Sequence, residues 1–200
     1  MLIEFELGLW NAWVFMIYVL FSNFLPYVLA GKVIDKKILQ KLGAGRPLSD
    51  NEKTLLSTYS LLFFATVAYS VFLPLELGTV WFYVGLIVYL LGVIVETVAM
   101  INFFTTAVDK PVNKGIYRFS RNPMYFGIFL IFFGTSIACV SLLFLMLTAI
   151  FIVLSHFVVV YEERFCAQKF GNAYQEYLNR IPRWIGLPKS EDPIPDTNGY

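Results

Sequence analysis

The sequence predicts an all-α integral membrane protein with five transmembrane helices, the last two forming a tight hairpin that runs into a cytosolic or interfacial helix. Three observations lead there. Of 200 residues, 58% are hydrophobic and 14% charged, and the mean hydropathy of +0.67 lies outside the range of ordinary soluble domains. The apolar residues gather into four blocks, Gly8 to Ala30, Leu55 to about Leu77, Val80 to about Thr106 and Met124 to Tyr161. A span takes roughly 20 residues, so the last block holds two. Finally, every Lys and Arg falls in three segments that five spans place on one face.

The first block begins at about Leu7 with no charged n-region before it, so a cleavable signal peptide is not expected. The loop after it, GKVIDKKILQKLGAGRPLSDNEK, carries Lys32, Lys36, Lys37, Lys41, Arg46 and Lys53 and has room for a short amphipathic helix before its Gly-Ala-Gly. Lys110, Lys114, Arg118 and Arg121 follow the third span. Arg164, Lys169, Arg180, Arg183 and Lys189 follow the fifth. The opposite face holds acidic residues such as Glu4, Glu6 and Glu76. The basic face is therefore expected to be cytosolic and the N-terminus outside, in a prokaryotic inner membrane or the endoplasmic reticulum. Four or six spans would divide the basic segments between both faces. The hairpin is expected to turn near Cys139 to Leu142. The segment EERFCAQKFGNAYQEYLNRIPRW, with Phe170, Tyr174, Tyr177 and Ile181 at helical spacing, reads as an amphipathic helix ended by Pro182. The chain is thus one membrane domain, 1–200: three spans in 1–107, hairpin and cytosolic catalytic segment in 108–188, and a mobile tail in 189–200.

Several function classes drop out. No P-loop, G-x-G-x-x-G fingerprint or zinc-ligand spacing is present, and neither a metal nor a nucleic-acid partner is expected. Cys139 and Cys166 flank one apolar run and are not expected to pair.

Polar chemistry concentrates in two places. In RNPMYFG, Arg121 to Gly127, Asn122 and Pro123 suit the N-cap and first position of a helix, and Tyr125 suits an interface. Tyr161-Glu162-Glu163 stands at the far end of the hairpin, so an antiparallel pair brings both clusters together. A helix start suits an anion, and the acidic pair offers acceptors to hydroxyls or an ammonium. Carboxylates at a helix C-terminus oppose its dipole, which weakens a purely stabilising explanation. A zwitterion such as S-adenosylmethionine suits this combination, with Tyr117, Tyr125, Tyr161 and Trp184 as candidate faces for its adenine or sulfonium. Composition does not by itself single that cofactor out.

GIYRFSRNPMYFG, the hairpin, YEERFCAQKFGNAYQEYLNRIPRW and the five-span layout resemble the membrane methyltransferase superfamily of isoprenylcysteine carboxyl methyltransferase and phosphatidylethanolamine N-methyltransferase. The likeness covers about Gly115 to Trp184. The isoprenylcysteine branch typically has Arg-His-Pro-x-Tyr, where this chain has Asn122. The phospholipid branch has a similar Asn-Pro-Met-Tyr-x-Gly followed by Tyr-Glu-Glu. The resemblance implies S-adenosylmethionine as cofactor, with Tyr117, Arg121, Asn122, Pro123, Tyr125, Gly127, Glu162, Glu163 and Trp184 around it and Arg180, Arg183 and Trp184 covering the site. It also implies a membrane lipid or a prenylated molecule as acceptor.

A carboxylate acceptor would favour an arginine, Arg180 or Arg183, and an amine a carboxylate, Glu96 or Glu163. Glu96 and Asn102 lie toward the cytosolic end of the third span, where a carboxylate is costly. His156 lies two turns before Glu163 on one helix face and is read either as packing or as catalytic. The competing readings are an NADPH-dependent sterol or ene reductase and a lipid-binding scaffold without activity.

Overall fold

Helices form over the apolar blocks, with Ser49, Thr79 and Ser141 capping the starts of three of them. The computed structural model describes residues 8–32 and 47–189. Among these it contains six α-helices: α1 (Trp13–Lys32), α2 (Asp50–Ser70), α3 (Val80–Phe104), α4 (Pro123–Ala138), α5 (Leu142–Phe170) and α6 (Asn172–Arg180), with a 3-10 turn at Gly115–Arg118. The amphipathic helix expected before the Gly-Ala-Gly, Glu4 and Glu6, and the tail from Ser190 onward lie outside the described residues.

Ser49 and Glu52 start α2 with a capping box, each side chain bonded to the other's backbone N–H. The helix ends at Ser70 rather than near Leu77, because Pro74 has no N–H and its ring would clash with the carbonyl four residues back. The freed segment, 71–79, ties the outer ends of the bundle together. Ala12 N–H donates to the Leu73 carbonyl (2.8 Å), Leu75 N–H to Trp10 (3.0 Å) and Glu76 N–H to Ala138 (3.0 Å). The hairpin between α4 and α5 turns at Cys139 to Ser141, as expected, and the Ser141 side chain caps α5.

Among the described residues, α3 and α5 are long and apolar enough to cross a membrane; Trp13–Asn23 and α4 are shorter apolar segments. Just 28% and 33% of the most apolar stretches of α3 and α5 are buried within the protein, so they are not core helices of a soluble fold. Ile87, Leu91, Ile94, Val98 and Ile101 on α3 and Met146, Ile150, Val153 and Phe157 on α5 are exposed. A contiguous apolar surface of this kind is that of a membrane or partner contact.

Two features fix helix spacing. On α3, Gly85 and Gly92 are seven residues apart, and on α4 so are Gly127 and Gly134, two turns that keep each pair on one face. The two faces meet antiparallel. A Cβ at Gly92 would come 2.7 Å from Ile131 N, one at Gly127 2.8 Å from Glu96 N, and one at Gly134 would collide with the backbone N of Tyr89. Backbone therefore packs on backbone along this seam. Behind it, Phe63 of α2, Phe129 and Phe132 of α4 and Phe144 and Phe151 of α5 form an aromatic core, with Phe132 and Phe151 centroids 5.1 Å apart. Inside lipid the transfer of apolar surface drives little association, so the glycine seam and these ring contacts, about 0.5–1.5 kcal/mol per pair, hold the helices.

Gly134→Val should lower the melting temperature in detergent markedly, since inserting methyls against backbone costs about 1–3 kcal/mol or more. Leu91→Val, on the exposed face, should leave it within error. Equal melting of the two variants would show that the seam does not set stability.

Candidate active site

The first of the two polar clusters is positioned by a glycine. Gly115, at φ +58, packs so closely on the Asn102 side chain that a Cβ would collide with it, which folds the chain after α3 back beneath the helix ends. The 3-10 turn then buries Tyr117 and delivers Ser120, Arg121 and Asn122 to the start of α4. Pro123 occupies the first turn of α4 as expected, but the Asn122 side chain caps nothing. It donates instead to Glu163 Oε1 (3.0 Å) and to the Arg183 carbonyl (3.3 Å).

Glu163 is the hub. Arg121 donates to it through Nε (3.0 Å) and Nη2 (3.3 Å), and Arg183 through Nε (3.0 Å) and Nη2 (2.8 Å). Arg121 Nη1 reaches onward to the carbonyls of Leu178 and Ile181, both at 2.7 Å. The Glu163 side chain is 6% exposed and that of Arg121 10%. Glu163 lies beyond the apolar stretch of α5 that ends at Tyr161. Burial by itself would raise its pKa, but the hydrogen bonds and charges of Arg183 and Arg121 outweigh that and hold the carboxyl below the usual range. The segment after α6 is strapped on by Arg121 N–H to the Pro182 carbonyl (3.0 Å) and Gly186 N–H to the Phe119 carbonyl (3.0 Å).

Glu162, about 100° around the helix from its neighbour, points elsewhere. It accepts from the Tyr125 hydroxyl (3.0 Å) and lines a cleft of about 150 Å³. Tyr117, Arg121, Asn122, Tyr125 and Glu163 also border this cleft, so six of the expected cofactor residues, Glu162 among them, meet in one place. The other expected residues do not line it. Gly127 packs on Glu96, and Trp184 sits on Phe129 and His156, with ring centroids 5.3 and 6.1 Å away. The Tyr161 ring carries the Arg164 guanidinium (5.6 Å). Arg180 is on the exposed end of α6, where its carbonyl accepts from Lys189 N–H (2.9 Å). Glu96 is buried, with Ser22 Oγ donating to its Oε1 at 2.9 Å.

Sequence reasoning did not single out Phe103, Lys110, Lys169, Phe170, Tyr174 and Tyr177 as cleft residues. The last three carry the periodic stripe that predicts an amphipathic helix, and that stripe faces the protein. Gly171, at φ +57, breaks the expected continuous helix between α5 and α6. α6 thereby folds back so that Tyr174, Tyr177 and Ile181 are buried, and the Tyr177 hydroxyl donates to the Tyr117 carbonyl (2.8 Å). Burial pushes the Tyr117 and Tyr177 phenols well above their ordinary values, so both remain protonated donors. The cleft thus combines carboxylate acceptors, the cations Lys110 and Lys169 and aromatic faces. That donor set fits a zwitterionic ligand with hydroxyls and an aromatic base.

Glu163→Gln leaves the buried Arg121 guanidinium without its counter-charge and should destabilise the folded protein by about 3–5 kcal/mol at neutral pH. Because the folded-state pKa is depressed, this contribution is present above the unfolded carboxylate value of about 4.3 and is lost as pH falls through the lower folded value. Melting in detergent should therefore separate wild type from variant at pH 7, and the gap should narrow as pH falls below the unfolded value and close below the folded one. A pH-independent gap would contradict the ion-pair account.

The phospholipid methyltransferase family profile matches residues 73–173, which takes in α3, the cleft-forming turn, α4 and α5. Two rice proteins, from Oryza sativa subsp. indica and subsp. japonica, are each 28% identical over 193 residues, covering 89% of this chain and 96% of their own length. Both are described as probable protein-S-isoprenylcysteine O-methyltransferases. With its arginine-bound Glu163, its cleft-lining Glu162 and Tyr125 and the matched half of its length, the chain belongs to the phospholipid methyltransferase family within the superfamily that also includes isoprenylcysteine methyltransferases.

Proposed function

We propose that this protein transfers a methyl group from S-adenosylmethionine to a lipid-like acceptor at the cytosolic face of a membrane that it spans five times. The observation that carries the reading is the cleft itself. It joins acceptors, cations and aromatic rings, and it lies where the ends of α3, α4 and α5 meet the basic segments of the chain. The relatives named above act, by their descriptions, on phospholipids or on protein isoprenylcysteine, and both are membrane-partitioned acceptors.

S-adenosylmethionine supplies a methyl carbon already activated by its sulfonium, so alignment and exclusion of water are the main demands on the protein. Glu162 is suited to the ribose hydroxyls, Lys110 and Lys169 to the carboxylate, and Tyr117, Tyr125 and Phe170 to the adenine or the sulfonium. Arg121, Asn122, Glu163 and Arg183 are committed to one another, and we assign them to holding the cleft walls in place. Pro123 and Gly127 set the start of α4 and its spacing from α3, while Trp184 packs on Phe129 and His156 and Arg180 ends α6.

Isothermal titration in detergent should show binding of S-adenosylhomocysteine and S-adenosylmethionine and none of NADPH. Glu162→Ala should weaken S-adenosylhomocysteine by about 1–3 kcal/mol, the cost of removing a partner from charged or polar ligand groups. Unchanged affinity in the folded variant would refute the assignment, and NADPH binding alone would favour a reductase.

Topology is tested separately. Single cysteines near Glu76 should react with an impermeant reagent added outside, and those near Lys110 or Lys189 only after permeabilisation; the opposite pattern would overturn the five-span arrangement.

A further inference from the structure

The strap that follows α6 carries an outward apolar surface for which the cleft has no use. Ile185 is 65% exposed and Leu187 81%, and Phe119, whose carbonyl accepts from Gly186 N–H, is 49% exposed beside them. The backbone underneath is already paired. Successive carbonyls of Ile181, Pro182 and Arg183 accept from Arg121 Nη1 (2.7 Å), from Arg121 N–H (3.0 Å), and from Ser120 Oγ and Asn122 Nδ2 (both 3.3 Å). A segment whose peptide groups are satisfied by its own protein can lay apolar side chains against lipid, which an open loop cannot do.

Trp184 sets the depth of the strap. Its ring packs on Phe129, seven residues beyond Asn122 on α4, and on His156, seven residues before Glu163 on α5. Two helical turns place those rings about 10 Å further along the apolar helices than the ion cluster around Glu163. Phe157, 5.8 Å from His156, belongs to the exposed apolar face of α5 with Met146, Ile150 and Val153, so the strap adjoins that face. The charges at the strap have one sign. Arg118 and Lys189 are exposed on either flank of the Phe119–Leu187 surface, and neither 110–161 nor 177–189 contains an Asp or Glu. Glu163, on the adjoining end of α5, is already bonded to Arg121 and Arg183. Exposed apolar side chains between cations are the make-up of an anchor at the surface of an anionic membrane.

We propose that Phe119, Ile185 and Leu187 insert at the head-group boundary of an anionic bilayer, with Arg118 and Lys189 paired to lipid phosphates. The strap is then a second attachment to the membrane beside the spanning helices, and the segment that carries Arg183 to Glu163 is tied to the bilayer. This rests on the membrane-spanning reading above.

The test uses the full chain in vesicles of phosphatidylcholine with and without phosphatidylglycerol. Single cysteines, Leu187→Cys, Leu91→Cys on the apolar face of α3 and Gln175→Cys on the exposed side of α6, are placed in a Cys139→Ala, Cys166→Ser background and labelled with bimane. Lipids spin-labelled near the head group should quench the label at Leu187→Cys, those labelled in mid-chain the label at Leu91→Cys, and aqueous iodide only that at Gln175→Cys. Lipid quenching at Leu91→Cys with iodide quenching at Leu187→Cys would overturn the inference and leave the spanning reading standing. No lipid quenching at Leu91→Cys would overturn both. The unlabelled protein gives an independent measurement. Phosphatidylglycerol should raise the melting temperature of wild type by roughly 2–4 °C, and Arg118→Gln with Lys189→Gln should lose that rise. Equal melting of wild type in the two lipid mixtures would overturn the pairing with head groups.

Discussion

Everything at the cleft end of this bundle depends on the bonds made by the Glu163 carboxylate. It draws together the start of α4 through Arg121 and Asn122, the end of α5 on which it sits, and the strap after α6 through Arg183. Removing Glu163 would leave the buried Arg121 guanidinium without a counter-charge, and the cost of that exceeds the worth of any single hydrogen bond in the set. The network also explains why two adjacent glutamates have different roles. Neighbours on a helix diverge by about 100°, so one can be spent on structure while the other faces the cleft.

The second constraint is steric. Along α3 and α4 the four glycines bring backbones into contact, and this close approach carries Glu96 up against α4 just beyond the cleft. The first constraint holds the helix ends and the second their spacing, and neither replaces the other. Ion pairing alone would leave α3 free to slide. The glycine seam alone would leave the segment from Gly115 to Arg121 without an anchor on α5.

Most of this was legible in the sequence where the signal is local. The hairpin turn at Cys139 to Ser141, the start of α4 at Pro123 and the meeting of RNPMYFG with the Glu-Glu pair follow from apolar block length and helix-start chemistry. What escaped was tertiary. Asn122 reads as a helix cap, yet its amide is drawn to the stronger acceptor, a carboxylate. The Tyr174 and Tyr177 stripe has the period of an interfacial helix, and period alone cannot say whether lipid or protein covers it. Gly171 lies between two good helix formers, and its left-handed φ shows only in three dimensions. Pro74 did carry a local signal for the early end of α2, but the continuity of the apolar run masked it.

The two sides of the site place opposite demands on electrostatics. A cofactor with charged and polar groups needs carboxylates and cations near water, where desolvation is cheap and exchange is fast. A lipid acceptor needs an apolar approach, where each unpaired polar atom is costly. On the proposed reading the protein meets both by grading polarity from the cleft into the bundle. Lys110, Lys169, Glu162 and Tyr125 stand at the cleft, and the Glu96 carboxyl, held by Ser22, lies buried further along α3. In such a gradient the deepest polar group depends most on its protein partner, because it has the least water with which to share the charge.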